Sequence, residues 1–207
     1  MKDIFSEYKA RILKAFPTEL EADVLVVLEI LPFHDNKVKL SDGQVHLMAN
    51  LIHPSELYLT LRGESLVIPY RLYFNEPDLE KEETLSDKQK AILNCIYLRH
   101  HNGYIRERRL QNLIPTSEYW VIPFTTQLLG EYVYELLEVI DRHVNEQNMD
   151  LYQKFILENP KYWQKTASRM ISYWNECYRK RFPRLKQYLG YEIVQRIKKR
   201  MPNKVQP

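Results

Sequence analysis

Four arginines and two adjacent histidines fall in one short run, Arg99-His100-His101-Asn102-Gly103-Tyr104-Ile105-Arg106-Glu107-Arg108-Arg109. A guanidinium is a planar fork that grips a phosphate or carboxylate with two donors, and an imidazole exchanges protons near neutral pH. Together these groups have the chemistry of anion binding with proton transfer. Three uses fit: holding a phosphate, meeting an acidic protein surface, or neutralising the chain's own carboxylates. The candidate binding set is Arg99, His100, His101, Arg106, Arg108 and Arg109, with Glu131 as the candidate carboxylate. In the structural version, Arg99, His100 and His101 close a helix, where the dipole favours positive charge by about 0.3 to 1 kcal/mol each. Glu131, Glu135, Glu138 and Asp141, at helical spacing, would then pair with Arg106 or Arg109. In the catalytic version, His100 or His101 moves a proton while Arg99, Arg106 and Arg109 stabilise anionic charge.

Metal chemistry finds less support. Neighbouring histidines on a helix point about 100° apart, and no motif spacing selects His143, Glu131 or Asp141 as a third ligand. His34 with Asp35, and His46 with His53, read as isolated surface or capping groups. The phosphate-binding glycine run, the dinucleotide fingerprint, the nucleophile elbow and the HExxH pair are absent from the sequence, so no cofactor and no metal are expected.

A second charged feature lies near the C-terminus. Residues 179–204 hold ten Lys or Arg against one acid, Glu192, so this stretch carries +9 while the net charge is +3 and the rest sums to 3 − 9 = −6. Tyr178, Phe182, Tyr188 and Tyr191 interleave with these cations, a pattern that suits nucleic acid. A pI of about 8.7 is modest for such a role, and no recognition motif is present. A solvated or self-docked basic segment is the plainer reading.

Composition bounds the class. With 207 residues, 44% of them hydrophobic, the chain can bury a full core, and 15 tyrosines against 5 glycines favour long elements over tight turns. The acidic start, Lys2-Asp3 through Glu7, lacks the basic-then-apolar order of a signal peptide. The apolar run 24–31 contains Glu29 and is far too short to span a bilayer. Cys95 and Cys177, both expected on helical core faces, offer no disulfide framework. A cytoplasmic setting without membrane contact follows.

The elements that must position these groups are mainly helical. The period predicts a helix over 3–16 and, after the Thr18/Glu21 capping pattern, another over 22–31, where Val24-Leu25-Val26-Val27 also suits a buried strand. A further helix is expected from 41–44, with Val45, Met48, Leu51 and Ile52 on one side. Alternating residues about Gly63 over 56–74 predict a β-hairpin, with Pro69 confined to an edge or a bulge. The acidic stretch 76–83 is the expected subdomain boundary. Ser86 and Gln89 cap a helix that Asn102-Gly103 ends in a left-handed turn. A long central helix is expected over 124–146, with another helix crossing closely at Gly130. A last stripe, Trp163, Ala167, Met170, Trp174 and Cys177, reads as core. The whole is a mainly α irregular helical bundle with one small β-hairpin. Residues 1–75 form an N-terminal helical segment carrying the hairpin, 84–200 the bundle, and 201–207 a flexible tail.

The segments Ile68-Pro69-Tyr70-Arg71-Leu72-Tyr73, Leu98 to Arg106, Trp120-Val121-Ile122-Pro123-Phe124 and Gln127 to Val133, with Tyr173-Trp174 and Tyr188-Leu189-Gly190-Tyr191, resemble a family of uncharacterised bacterial proteins. The resemblance covers roughly residues 60–190. It implies a bacterial cytosolic origin and carries no activity, cofactor or catalytic residue. The expected function is therefore a non-enzymatic interaction protein that meets a macromolecular partner, most simply another protein, through the helical surface around 99–109. The alternative is a phosphate-handling enzyme or nucleic-acid-binding protein using the same arginines.

Overall fold

The computed structural model describes residues 4–39 and 43–199. It is mainly α, 58% helical, and divides into two compact units, 1–112 and 113–207. The tail expected at 201–207 lies outside the described residues. Among the described residues no helix is long and apolar enough to cross a membrane.

The first unit opens with α1 (Ile4–Leu13) and, after a 3-10 turn, α2 (Glu21–Ile30). Two antiparallel ribbons follow: β1 (Lys37–Lys39) with β2 (Val45–Leu47), and β3 (Glu56–Leu61) with β4 (Glu64–Pro69). The β3–β4 hairpin is the expected one. Arg62 and Gly63 both take positive φ, 52° and 86°, the mirror-image turn whose twist matches a two-residue hairpin. Leu59 pairs with Leu66 and Leu57 with Ile68, so Leu59, Leu61, Leu66 and Ile68 are buried on one face. Pro69 fits because both strands of a two-stranded ribbon are edges.

The helix expected from 41–44 does not form. Ser41 and Asp42 lie outside the described residues, and Val45 to Leu47 is an exposed strand paired with β1. Leu51 and Ile52 are buried from an extended segment instead: Leu51 accepts the Tyr73 N–H and Arg71 accepts that of His53. Such alternating residues serve a strand equally well, and a distant partner, here 71–73, decides.

The acidic stretch is not the boundary either. It carries α3 (Leu79–Glu83) inside the first unit, and the division lies after Asn112. Next come α4 (Asp87–Tyr97) and α5 (Gly103–Gln111). The Ser86/Gln89 capping box is present in full, and every residue of α4 from Ala91 to Tyr97 is buried. Asn102 is not left-handed: it is extended, and its side chain caps α5 by accepting the Tyr104 N–H.

The second unit contains α6 (Ile122–Leu128), α7 (Tyr134–His143), α8 (Met149–Glu158), α9 (Pro160–Tyr173) and α10 (Leu189–Lys199). The expected helix over 124–146 is thus two helices. Leu129, Gly130 and Glu131 donate to carbonyls three residues back, tightening the end of α6, and Val133 is extended before α7. The Tyr178 hydroxyl bridges the break, accepting the Tyr134 N–H at 3.1 Å and donating to the Tyr132 carbonyl. The close crossing at Gly130 is real. A Cβ there would stand 3.2 Å from the Thr166 carbonyl oxygen on α9. Trp163 and Met170 are buried as expected, but the helix widens into a π turn at Trp174–Tyr178. That extra residue per turn rotates Cys177 off the stripe, and it is exposed, whereas Cys95 is buried.

Gly130→Leu is expected to destabilise the protein by about 1 to 3 kcal/mol through overpacking against α9, and Tyr178→Phe by about 1 kcal/mol through the lost hydroxyl bridge. Urea denaturation measures both. Unchanged midpoints would mean that neither contact restrains the break.

Candidate functional site

The turn between α4 and α5 is built onto the strand-like segment after β4. Leu72 donates its N–H to the Arg99 carbonyl at 2.8 Å and accepts that of His101 at 2.9 Å, forming a parallel bridge with His100. The cluster's backbone is therefore fixed before any side chain acts.

Arg99 is 1% exposed. Its Nε donates to the Pro69 carbonyl at 3.3 Å and another guanidinium nitrogen to the Tyr70 carbonyl. Arg106, also 1% exposed, donates from Nη1 to the carbonyls of His100 and His101 at 2.7 and 2.9 Å. Both arginines satisfy backbone carbonyls that α4 and β4 leave open at their ends. Arg109, 4% exposed, is gripped by two carboxylates: its Nε donates to Glu76 at 2.8 Å and its Nη2 to Glu82 at 2.9 Å, while its guanidinium carbon lies 5.1 Å from the centre of the Tyr97 ring. Burial works against the Arg109 charge, but Glu82 and Glu76 outweigh it, and the net pKa shift is upward. Arg108 also pairs with Glu76, and its side chain remains largely exposed.

The two histidines differ in how they are held. His100 Nδ1 accepts the Asn102 N–H at 3.1 Å, so the proton sits on Nε2, which donates to the Phe74 carbonyl at 3.1 Å. Burial first, then the positive charge of His101, Arg106 and Arg71, lowers its pKa to about 3. His101 is half-buried and stacked on Tyr73, with its pKa lowered by burial and by Arg106 and Arg71. His100, neutral and bonded through both nitrogens, suits a structural joint better than a proton relay, whereas the buried Nε2 of His101 has no hydrogen-bond partner among the described residues.

Glu131 lies in the second unit, buried between α6 and α7. The carboxylates found on Arg109 are Glu76 and Glu82, where Glu131, Glu135, Glu138 and Asp141 were the expected partners. Asp141 pairs with Arg196 at 2.8 Å. The signal available in the sequence was the acidic run 76–83 itself, a carboxylate-rich stretch shortly before an arginine-rich one. Among the described residues no group of three His, Cys, Asp or Glu side chains comes together as a metal site. His143, one of the candidate third ligands, has Nδ1 2.9 Å from the Tyr152 hydroxyl, which donates to Thr125 Oγ1 at 2.7 Å; burial lowers its pKa to about 4.

The basic segment has the opposite character. Arg179, Lys180, Arg181, Arg184, Lys186 and Lys199 are exposed. Arg181 lies over the Tyr134 and Phe182 rings at 5.0 and 5.1 Å, and Arg179 over Trp174. No carboxylate among the described residues pairs with Lys180, Arg181, Arg184, Lys186, Lys198 or Lys199.

No family model matches this sequence, and neither a curated protein nor a solved structure matches it.

Arg109→Ala is expected to remove about 2 to 4 kcal/mol of stability by stranding Glu76 and Glu82, a figure discounted because both carboxylates keep some solvent. A midpoint within error of the parent would show that the pair is not holding the turn. The imidazoles add a pH test. His100 and His143 have folded pKa values below the unfolded one near 6.5, so their contribution is complete above about pH 6.5 and is lost as protons bind the unfolded chain below it. Stability is expected to fall between pH 6.5 and 4.5 with a slope approaching about 1.4 kcal/mol per pH unit for each ring. His143→Gln is expected to lower that slope by about 1.4 kcal/mol per pH unit, and a flat profile over this window would mean that the rings titrate in the fold as they do in the unfolded chain.

Proposed function

We propose that this protein is a non-enzymatic interaction protein that binds an anionic macromolecule through the basic surface of its second unit, residues 179–199. One observation carries the reading: six cations there have no carboxylate partner among the described residues, whereas Arg99, Arg106 and Arg109 are buried and bonded to carbonyls or carboxylates within the first unit. Exposed, unneutralised charge attracts an anionic partner, while buried and paired charge does not. The burial of the 99–109 turn moves the expected binding face away from it and argues equally against a phosphate-handling site there, since such a site needs its guanidinium forks open to the ligand. Two free thiols and the likeness noted above are consistent with a bacterial, cytoplasmic setting.

The triple variant Lys180→Glu/Arg184→Glu/Lys186→Glu is expected to elute from immobilised heparin at well under half the salt that the parent requires, with an unchanged melting temperature. Arg108→Glu, on the first unit, is the single charge-reversal control away from the basic surface and should elute close to the parent. Equal elution of the triple variant and the parent would remove the basic surface from the reading.

A further inference from the structure

We infer that the groove between the 185–187 turn and α10 binds single-stranded nucleic acid, with phosphates on Lys186 and Lys199 and a base stacked on Tyr191. The inference rests on the basic-surface reading above and names its partner. The groove has a volume of about 650 Å³ and is lined by Lys186, Tyr191, Glu192, Gln195, Arg196 and Lys199, a size within the roughly 300 to 1,000 Å³ usual for ligand clefts.

The lining divides by role. Lys186 and Lys199 have no carboxylate partner among the described residues and offer point charges to a phosphate backbone. Arg196 is already fixed by Asp141 and by the carbonyls of Asp141 and Val144, each at 3.2 Å, so it forms a rigid basic wall. Tyr191, Gln195 and Lys199 recur at intervals of four along α10, one above the other on the same helix face.

Tyr191 is the aromatic residue left over. The neighbouring rings are used internally: Tyr134 stacks on Phe182 at 5.4 Å, Tyr178 stacks on Tyr188 at 5.5 Å, and Trp174 lies under Arg179. The half-buried ring of Tyr191 has no aromatic or guanidinium neighbour among the described residues, which leaves it available as a stacking platform. Glu192 and Gln195 complete the argument. A nucleobase edge supplies amino donors that a carboxylate and an amide accept, which the side chains of an acidic polypeptide do not. A duplex keeps its bases in the stack and would leave Tyr191 idle, so the single strand fits all the groups present.

Fluorescence anisotropy with labelled 20-nucleotide single-stranded DNA and RNA, the matching duplex and poly-glutamate tests this. Single strands are expected to bind at least ten-fold tighter than the duplex and to lose about ten-fold in affinity between 50 and 200 mM salt, the slope of two or three phosphate contacts. Tyr191→Leu is expected to weaken single-strand binding about ten-fold with the salt slope unchanged. Lys186→Glu/Lys199→Glu should flatten the slope, and Glu192→Gln should leave binding intact or tighter. Photocrosslinking of a 4-thiouridine oligonucleotide, with the attached peptide mapped to 186–199, gives the same answer independently of any variant's folding. Binding of poly-glutamate and heparin without oligonucleotides would overturn the groove and leave the basic surface standing; binding of none of them would overturn both. Equal affinity for duplex and single strand, an unaffected Tyr191→Leu that folds as the parent does, or crosslinks outside 186–199 would each overturn the single-strand assignment.

Discussion

The first unit depends on guanidinium groups taking the place that water or regular secondary structure would fill. Between Pro69 and Leu85 the chain has one five-residue helix and two isolated bridges, both at Leu72, so its remaining carbonyls and carboxylates need partners from elsewhere. Arg99 takes the carbonyls of Pro69 and Tyr70, and Arg109 takes Glu76 and Glu82. These contacts run from α4, α5 and the turn between them, and they hold an irregular strap against an apolar helix. A buried ion pair is a poor source of net stability, because desolvation offsets most of its attraction. Its stronger effect here is on specificity: a strap with so little ladder bonding has few other features to select one path over α4.

The second unit solves a related problem with a hydroxyl. Splitting 122–143 into two helices leaves backbone groups of 132–134 without helical partners, and Tyr178 satisfies one donor and one acceptor at once. Gly130 lets α9 approach the same break, so the break, the crossing and the π turn that carries Tyr178 depend on one another. The aromatic cluster of Tyr134, Phe182 and Tyr188 then packs around this joint. The basic segment that follows is thereby anchored by its apolar residues, with its cations directed to solvent.

How much of this was legible in the sequence depended on the range of the interactions. Local signals read correctly: the Ser86/Gln89 capping box, the glycine turn of the hairpin at Gly63 and the close approach at Gly130 are each written in neighbouring residues. Errors arose where a distant group decides. The period over 124–146 suits one helix, and nothing nearby announces that Tyr178, 44 residues beyond Tyr134, rewards a break. Val45 to Ile52 has spacing that serves either a helix or strands, and its partners are β1 and the segment 71–73. The arginine cluster was located correctly, while its partners were not, because carboxylates upstream at 76–83 and downstream at 131–141 were equally available to a reader of charge alone.

Charge density therefore does not identify a binding site; the supply of acceptors around each cation does. The run 99–109 follows a strap rich in open carbonyls and acids, and folding brings these acceptors onto its guanidiniums. The stretch 179–199 has one acid of its own, Glu192, and its neighbours on α7 are engaged or too few: Asp141 is taken by Arg196. Regular helix covers much of that unit, so its carbonyls are already bonded and cannot absorb the surplus either. Positive charge that folding cannot neutralise must be satisfied by water, by counterions or by an anionic partner. Of these, a polyanion gains most, because it displaces many counterions in a single event.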